Sequence, residues 1–142
     1  MGKVLIGKYA HSLDAKGRVS FPAKMREDMG DHVILTQGWE RCLFVYSLEE
    51  WARLDEKIKA LPMSKAGNLQ RFLFASAVDV ELDKQGRLLI PQDLRDYAGL
   101  TKDVMITGVS VRAEIWDRET WLGKSQAITP EMVAQAMDEL GF

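Results

Sequence analysis

The sequence predicts a mixed α/β, strand-rich body with internal pseudo-symmetry, and three observations carry that prediction. The first is a stretch that occurs twice. Asp14-Ala-Lys-Gly-Arg18-Val-Ser-Phe-Pro22-Ala-Lys-Met-Arg26 returns 69 residues later as Asp83-Lys-Gln-Gly-Arg87-Leu-Leu-Ile-Pro91-Gln-Asp-Leu-Arg95, with five of thirteen positions identical, the mark of a duplicated unit. The second is that the flanks echo one another: Leu13 and Leu82, Val33–Thr36 and Val104–Thr107, Val45-Tyr46 and Ile115-Trp116, Glu49 and Glu119, Trp51 and Trp121. The third is size. Halves of about 45 residues are too small to bury a good core alone, so they are expected to fold against each other. The halves fall at residues 7–54 and 78–121, with a helical connector at 55–77 and a C-terminal helical segment at 122–142.

The elements follow in chain order. Tyr9–Leu13 reads as a strand ending at Asp14. Ala15-Lys16-Gly17 is then a three-residue hairpin loop, with Gly17 supplying the positive φ of its third position. Asp14 accepts from the turn amides and lies opposite Arg18. Asp83, Lys84-Gln85-Gly86 and Arg87 repeat this. Short strands Val19–Phe21 and Leu88–Ile90 lead to Pro22 and Pro91, placed in the first turn of helices 22–29 and 91–98. Those helices end at Gly30 and Gly99, with Met25 and Met29, or Leu94 and Ala98, four apart on an inward face.

Strands follow at Val33–Thr36 and Cys42–Tyr46, matched by Val104–Thr107 and Glu114–Trp116. Each half closes with a helix capped by Ser47 or Asp117, whose Trp51 or Trp121 reads as a packing anchor. In the connector, 61–68 reads as a break and Leu69–Ser76 as a short helix. Thr129 to Leu140 reads as an amphipathic helix capped by Thr129, with Pro130 at its first position. Its stripe of Met132, Val133, Ala136, Met137 and Leu140 is expected to dock on its own body, a neighbouring molecule being the alternative.

Composition bounds function. The 142 residues are 46% hydrophobic and 28% charged, with net charge −2. That total argues against a broadly basic nucleic-acid footprint and leaves any such contact to a local patch. The one cysteine, Cys42, excludes an internal disulfide and reads as a buried, inert strand residue. The apolar run within Met1–Lys8 is too short for a signal peptide, and no stretch approaches the roughly eighteen apolar residues of a membrane span. The expectation is a soluble cytoplasmic protein with no membrane partner. His11 and His32 are the only histidines. No metal-ligand spacing, phosphate-binding glycine loop or nucleophile–base pair accompanies them, so the chain is expected to be no enzyme, with no metal, no cofactor and no small-molecule substrate.

Two readings fit the repeated motif on residue chemistry alone. A hairpin tip bearing Lys16 and Arg18, with Lys84 and Arg87 on its copy, is shaped to enter a major groove, where Arg pairs with guanine O6 and N7 and Lys meets phosphate. Alternatively, Asp14–Arg18 and Asp83–Arg87 are ion pairs that only close the hairpins. Arg26 and Arg95 either extend a basic patch or lie on solvated helix faces. Gln85 stands where the first copy has Lys16, and Leu89 where it has Ser20. This points to the first half as the DNA-facing one and the second as leaning toward packing or subunit contact.

The pattern Asp-x-x-Gly-Arg-[Val/Leu]-x-[Phe/Ile]-Pro-x-x-x-Arg, present twice, resembles the SpoVT/AbrB-type DNA-binding fold. The tandem form, with a tryptophan-bearing helix after each half, is similar to the bacterial MraZ family over about residues 7–121. The resemblance implies interleaved halves forming a swapped-hairpin, double-split β-barrel. It implies a homo-oligomeric ring that binds double-stranded DNA at short direct repeats in the promoter of a division and cell-wall gene cluster, as a nucleoid-associated repressor. It places DNA contact on Lys16, Arg18, Lys84 and Arg87, with Asp14, Gly17, Asp83 and Gly86 in support. A ring-forming protein-interaction scaffold, or an antitoxin-like protein using the 129–140 helix, is the competing implication.

Overall fold

A computed structural model describes residues 4–142, so the signal-peptide reading falls partly outside the described residues. Eight strands are described: β1 (Lys8–Ser12), β2 (Arg18–Ser20), β3 (His32–Gln37), β4 (Leu43–Ser47), β5 (Val78–Glu81), β6 (Arg87–Leu89), β7 (Asp103–Gly108) and β8 (Ala113–Asp117). Six of them form one antiparallel sheet in the order β1-β7-β8-β4-β3-β5, and β2 pairs with β6 as a separate ribbon. The expected split barrel is therefore a sheet and a ribbon; among the described residues no ladder closes it.

Pairing across the repeats is reciprocal. The leading strand of each half adds to the other half's sheet, β1 to β7 and β5 to β3. Alternation along the central strands sorts side chains to two faces. Leu43, Val45, Val104, Ile106 and Ile115 join Val19, Phe21, Leu88 and Ile90 in the main core, while Phe44, Tyr46 and Trp116 face a second cluster with Ile58 and Leu73. Both faces of β4 and β8 are covered, which is why β4 reads as an apolar run, while β8 carries the buried Glu114 within its own.

The helices are α1 (Ala23–Met29), α2 (Leu48–Lys59), α3 (Met63–Leu69), α4 (Gln92–Ala98), α5 (Arg118–Ala127) and α6 (Pro130–Asp138). Pro22 and Pro91 are N-caps with extended ψ, one position before the expected first turn. The expected inward pairs hold: Met25, Met29, Leu94 and Ala98 are buried. Ser47 and Asp117 cap α2 and α5 as read from sequence.

Two expectations are corrected. The presumed break at 61–68 is mostly helix: Pro62 starts α3 rather than interrupting it, and α3 runs on into a π-helical turn at Gln70–Phe74. The carbonyls of Phe72 and Leu73 there accept side-chain hydrogen bonds, from Gln37 at 3.0 Å and Ser76 at 2.7 Å for the former and from Thr36 for the latter. Second, α6 does not dock on its own body. Thr129 caps it as expected, accepting from the Met132 amide at 3.2 Å, yet residues 130–142 are all exposed. The second core cluster is covered instead by Trp51, Leu54, Phe72, Phe74 and Trp121. No helix among the described residues is long and apolar enough to cross a membrane.

Candidate nucleic-acid interface

Each hairpin is wired by its aspartate. Asp14 Oδ1 accepts the amides of Lys16 and Arg18, both at 2.9 Å, and Oδ2 accepts Arg18 Nε at 2.7 Å. Asp83 does the same with Gln85 (2.9 Å), Arg87 N (2.8 Å) and Arg87 Nε (2.8 Å). Gly17 and Gly86 close the loops at φ 85° and 74°, a region that costs other residues strain. The Arg18 amide, backed by the other bonds from Arg18 and Lys16, lowers the Asp14 pKa to about 2 despite opposing desolvation. Asp83 is lowered by the matching bonds, the Arg87 amide foremost.

This wiring has a chemical consequence. Each hairpin's own carboxylate holds only the Nε of its guanidinium, which orients the group before any ligand arrives. The terminal amino groups of Arg18 and Arg87 keep the fork geometry that suits guanine or phosphate. The ion-pair reading and the contact reading are thus compatible: the aspartate sets the arginine.

The β2–β6 ribbon then joins the two motifs on one surface. Arg18 lies opposite Leu89, Val19 opposite Leu88, and Ser20 opposite Arg87. Val19 and Leu88 are buried, leaving Arg18, Ser20, Arg87 and Leu89 on the outer side. The loops stand at the two ends, tied by Ile90 N to Gly17 O at 2.9 Å and Phe21 N to Gly86 O at 3.0 Å. Arg87 Nη1 comes within 4.0 Å of Asp14 Oδ2, so charge is shared across the repeats. Lys16 and Lys84 are exposed at the tips. The expected division of labour meets a ribbon that draws equally on both halves, and Leu89, 52% exposed, is packed into no core of this chain.

Arg26 and Arg95 have a role that sequence reasoning missed. Each guanidinium crosses to the other repeat's hairpin and covers its glycine. A β-carbon on Gly86 would fall 2.5 Å from Arg26 Cζ, and one on Gly17 would fall 2.7 Å from Arg95 Cζ. Both Nε atoms are buried and have no hydrogen-bond partner among the described residues. The available signal was the return of the same arginine thirteen positions into both copies, always with a loop glycine.

A polar network stands apart from this surface. Buried Glu114 accepts from Trp116 Nε1 at 3.0 Å and Arg112 Nη2 at 2.9 Å, and Arg112 lies 4.3 Å from the centre of the Phe44 ring. Burial, with the nearby Glu114 charge, pushes the Cys42 thiol up to about 12. His32 pairs with Asp79 across β3 and β5. No group of three His, Cys, Asp or Glu placed to hold a metal occurs among the described residues.

Comparison with known proteins bears on this arrangement. The family model described as "MraZ protein, putative antitoxin-like" matches twice, at residues 4–69 and 73–138. A Caldicellulosiruptor saccharolyticus protein named transcriptional regulator MraZ is 51% identical, covering 98% of this chain and 100% of its own length. One of the same name from Acetivibrio thermocellus is 52% identical over 96% of this chain and 98% of its own. The solution structure of PHS018 from Pyrococcus horikoshii matches 76% of this chain and 97% of that one at 16% identity and a TM-score of 0.31, too slight a likeness to argue from. With its motif built twice and matched across nearly its whole length, the chain belongs to the MraZ family.

Proposed function

We propose that the chain is a sequence-specific DNA-binding transcriptional regulator. It acts from the cytoplasm at the nucleoid as a repressor, engaging short direct repeats in the promoter of a division and cell-wall gene cluster as a ring. The observation that supports this best is the outer side of the β2–β6 ribbon, where Arg18 and Arg87 are pre-set by Asp14 and Asp83 beside exposed Lys16 and Lys84. A two-stranded ribbon fits a major groove; arginine forks read base edges and lysines take phosphate.

Multiplicity follows from charge. A few cations per chain neutralise few phosphates, and binding of that kind weakens by about 0.9 log unit per contact per log unit of salt. Copies tethered in one assembly add roughly 10² to 10⁴ in avidity without new contacts, and repeated sites match repeated subunits. The test is fluorescence anisotropy with DNA from upstream of the chain's own gene, carrying one, two or three repeats. Affinity and salt dependence should rise with repeat number, and Arg18→Ala should weaken binding at every repeat number. Equal binding to all three, or to unrelated DNA, overturns the reading.

A further inference from the structure

The outer side of the β2–β6 ribbon is a patch with four corners. Arg18 stands opposite Leu89 and Ser20 opposite Arg87, while Val19 and Leu88 between them turn into the core. Opposite side chains on such a ribbon lie about 5 Å apart, and alternate residues along one strand about 7 Å. A single exposed leucine is ordinary; the placing of this one is not. Leu89 keeps 52% of its surface open although it sits beside Arg18 and two residues along from Arg87. Both arginines are already held at Nε by Asp14 and Asp83. The pseudo-twofold that exchanges Arg18 with Arg87 also exchanges Ser20 with Leu89, so that pair is where the patch loses its symmetry.

We infer that Leu89 meets the C5-methyl group of a thymine in the major groove, close to the base that Arg18 reads. This deepens the DNA-binding reading above and rests on it. Any cover for Leu89 must also accept the two guanidiniums beside it. A protein surface would have to bring an apolar side chain and acceptors for both arginines into one patch about 5 by 7 Å, or leave buried charge unpaired. The floor of a major groove carries both chemistries side by side: guanine presents O6 and N7 as acceptors, and thymine presents its methyl. Base steps rise about 3.4 Å, so the thymine met by Leu89 lies within about two steps of the base met by Arg18. Ser20, at the matching corner, offers a hydroxyl where Leu89 offers carbon. The ribbon therefore reads a site differently in its two directions, which suits sites repeated in one direction.

Deoxyuridine scanning tests it. The probe is two-repeat DNA from upstream of the chain's own gene, with each thymine replaced in turn, in both repeats, by deoxyuridine, which removes the methyl and keeps the pairing. In fluorescence anisotropy one such replacement should weaken wild-type binding by about fourfold or more, the worth of a buried methyl group. Leu89→Ala should bind the thymine form more weakly by a similar factor and be indifferent to that replacement. Leu89→Met, which keeps the apolar reach, should retain the discrimination. The side chain is exposed, so both variants keep the fold. A wild type indifferent to every replacement overturns the inference. So does a Leu89→Ala chain that still feels the methyl, which assigns the contact to another residue. Leu89→Ala particles that sediment as smaller than wild type place Leu89 between subunits and overturn the inference while leaving DNA binding intact. A wild type that binds none of the DNA removes the regulator reading and the inference with it.

Discussion

Arg26 of the first repeat covers Gly86 of the second, its guanidinium occupying the space a β-carbon would need. Gly86→Ala therefore faces two obstacles: a positive φ of 74° and a displaced arginine. The expected loss is about 2–3 kcal/mol, more than the 1–2 kcal/mol typical of left-handed strain alone. Gly99→Ala, at φ 64° with open space around it, supplies the strain-only comparison. In thermal unfolding, Arg26→Ala should rescue part of the Gly86→Ala defect and none of the Gly99→Ala defect. Strict additivity of Arg26→Ala and Gly86→Ala would show that the two do not touch.

Arg18→Ala and Arg87→Ala should weaken operator binding by similar amounts, about 1–3 kcal/mol each. Their symmetry on the ribbon, opposite Leu89 and Ser20 respectively, is the reason. Lys16→Ala should instead lower affinity for all sequences and flatten the salt dependence. Anisotropy titrations at several salt concentrations separate these outcomes; an Arg87→Ala chain with intact affinity would confine recognition to the first hairpin.

Asp14 has a folded-state pKa lowered from 3.8 to about 2, so its ionised form favours the folded state. The stabilisation is complete above the unfolded value and is lost as pH falls through the folded one. Wild type and Asp14→Asn should therefore differ by a constant amount above about pH 5 and converge as pH falls from 3.8 toward about 2. Following the acid-unfolding curves of both, or the Asp14 carboxyl resonance, decides it. A gap that closes near neutral pH would contradict the hairpin geometry.

Thr36 and Thr107 occupy matching places in the two repeats and are equally buried, at 0% and 3% exposure. Thr36 Oγ1 bonds the Leu73 carbonyl and lies 3.0 Å from Ser76 Oγ; Thr107 Oγ1 has no hydrogen-bond partner among the described residues. Thr36→Val should cost about 1–2 kcal/mol, whereas Thr107→Val should be neutral or stabilising, because it removes an unpaired buried hydroxyl. Urea unfolding of the two variants is the comparison, and equal losses would refute it.

Cys42 is buried, with its thiol held at about 12. Thiolate is the reactive form, so alkylation of the native chain at pH 8 should be far slower than that of the unfolded chain. Glu114→Ala leaves Arg112 and Trp116 Nε1 without their acceptor and should cost about 3 kcal/mol or more. Mass spectrometry after iodoacetamide treatment should then show faster modification of Cys42. Rapid labelling of the native wild type would place the thiol near the surface.

Local rules carried most of the elements. Asp14 to Arg18, Gly30, Ser47 and Thr129 all encode turns or caps within a few residues, and each stands where that chemistry puts it. The repeat made reciprocal packing legible as well, since neither half could bury a core alone. What sequence did not disclose depends on distance. Nothing near Arg26 announces Gly86, 60 residues away, because that contact exists only once the strands have exchanged. Pro62 read as an interruption because a proline looks alike before a helix and between helices. The stripe on α6 was visible, but a stripe specifies a need for cover and not its source.

The β2–β6 ribbon draws one strand from each repeat, and each loop glycine is roofed by an arginine from the other. Neither fingertip therefore owns its own shape. Opening of either repeat removes a strand and a roof from both hairpins at once. The two hairpins then persist or are lost together, and what heat or a destabilising substitution changes is the fraction of chains that hold both, not the shape of one alone.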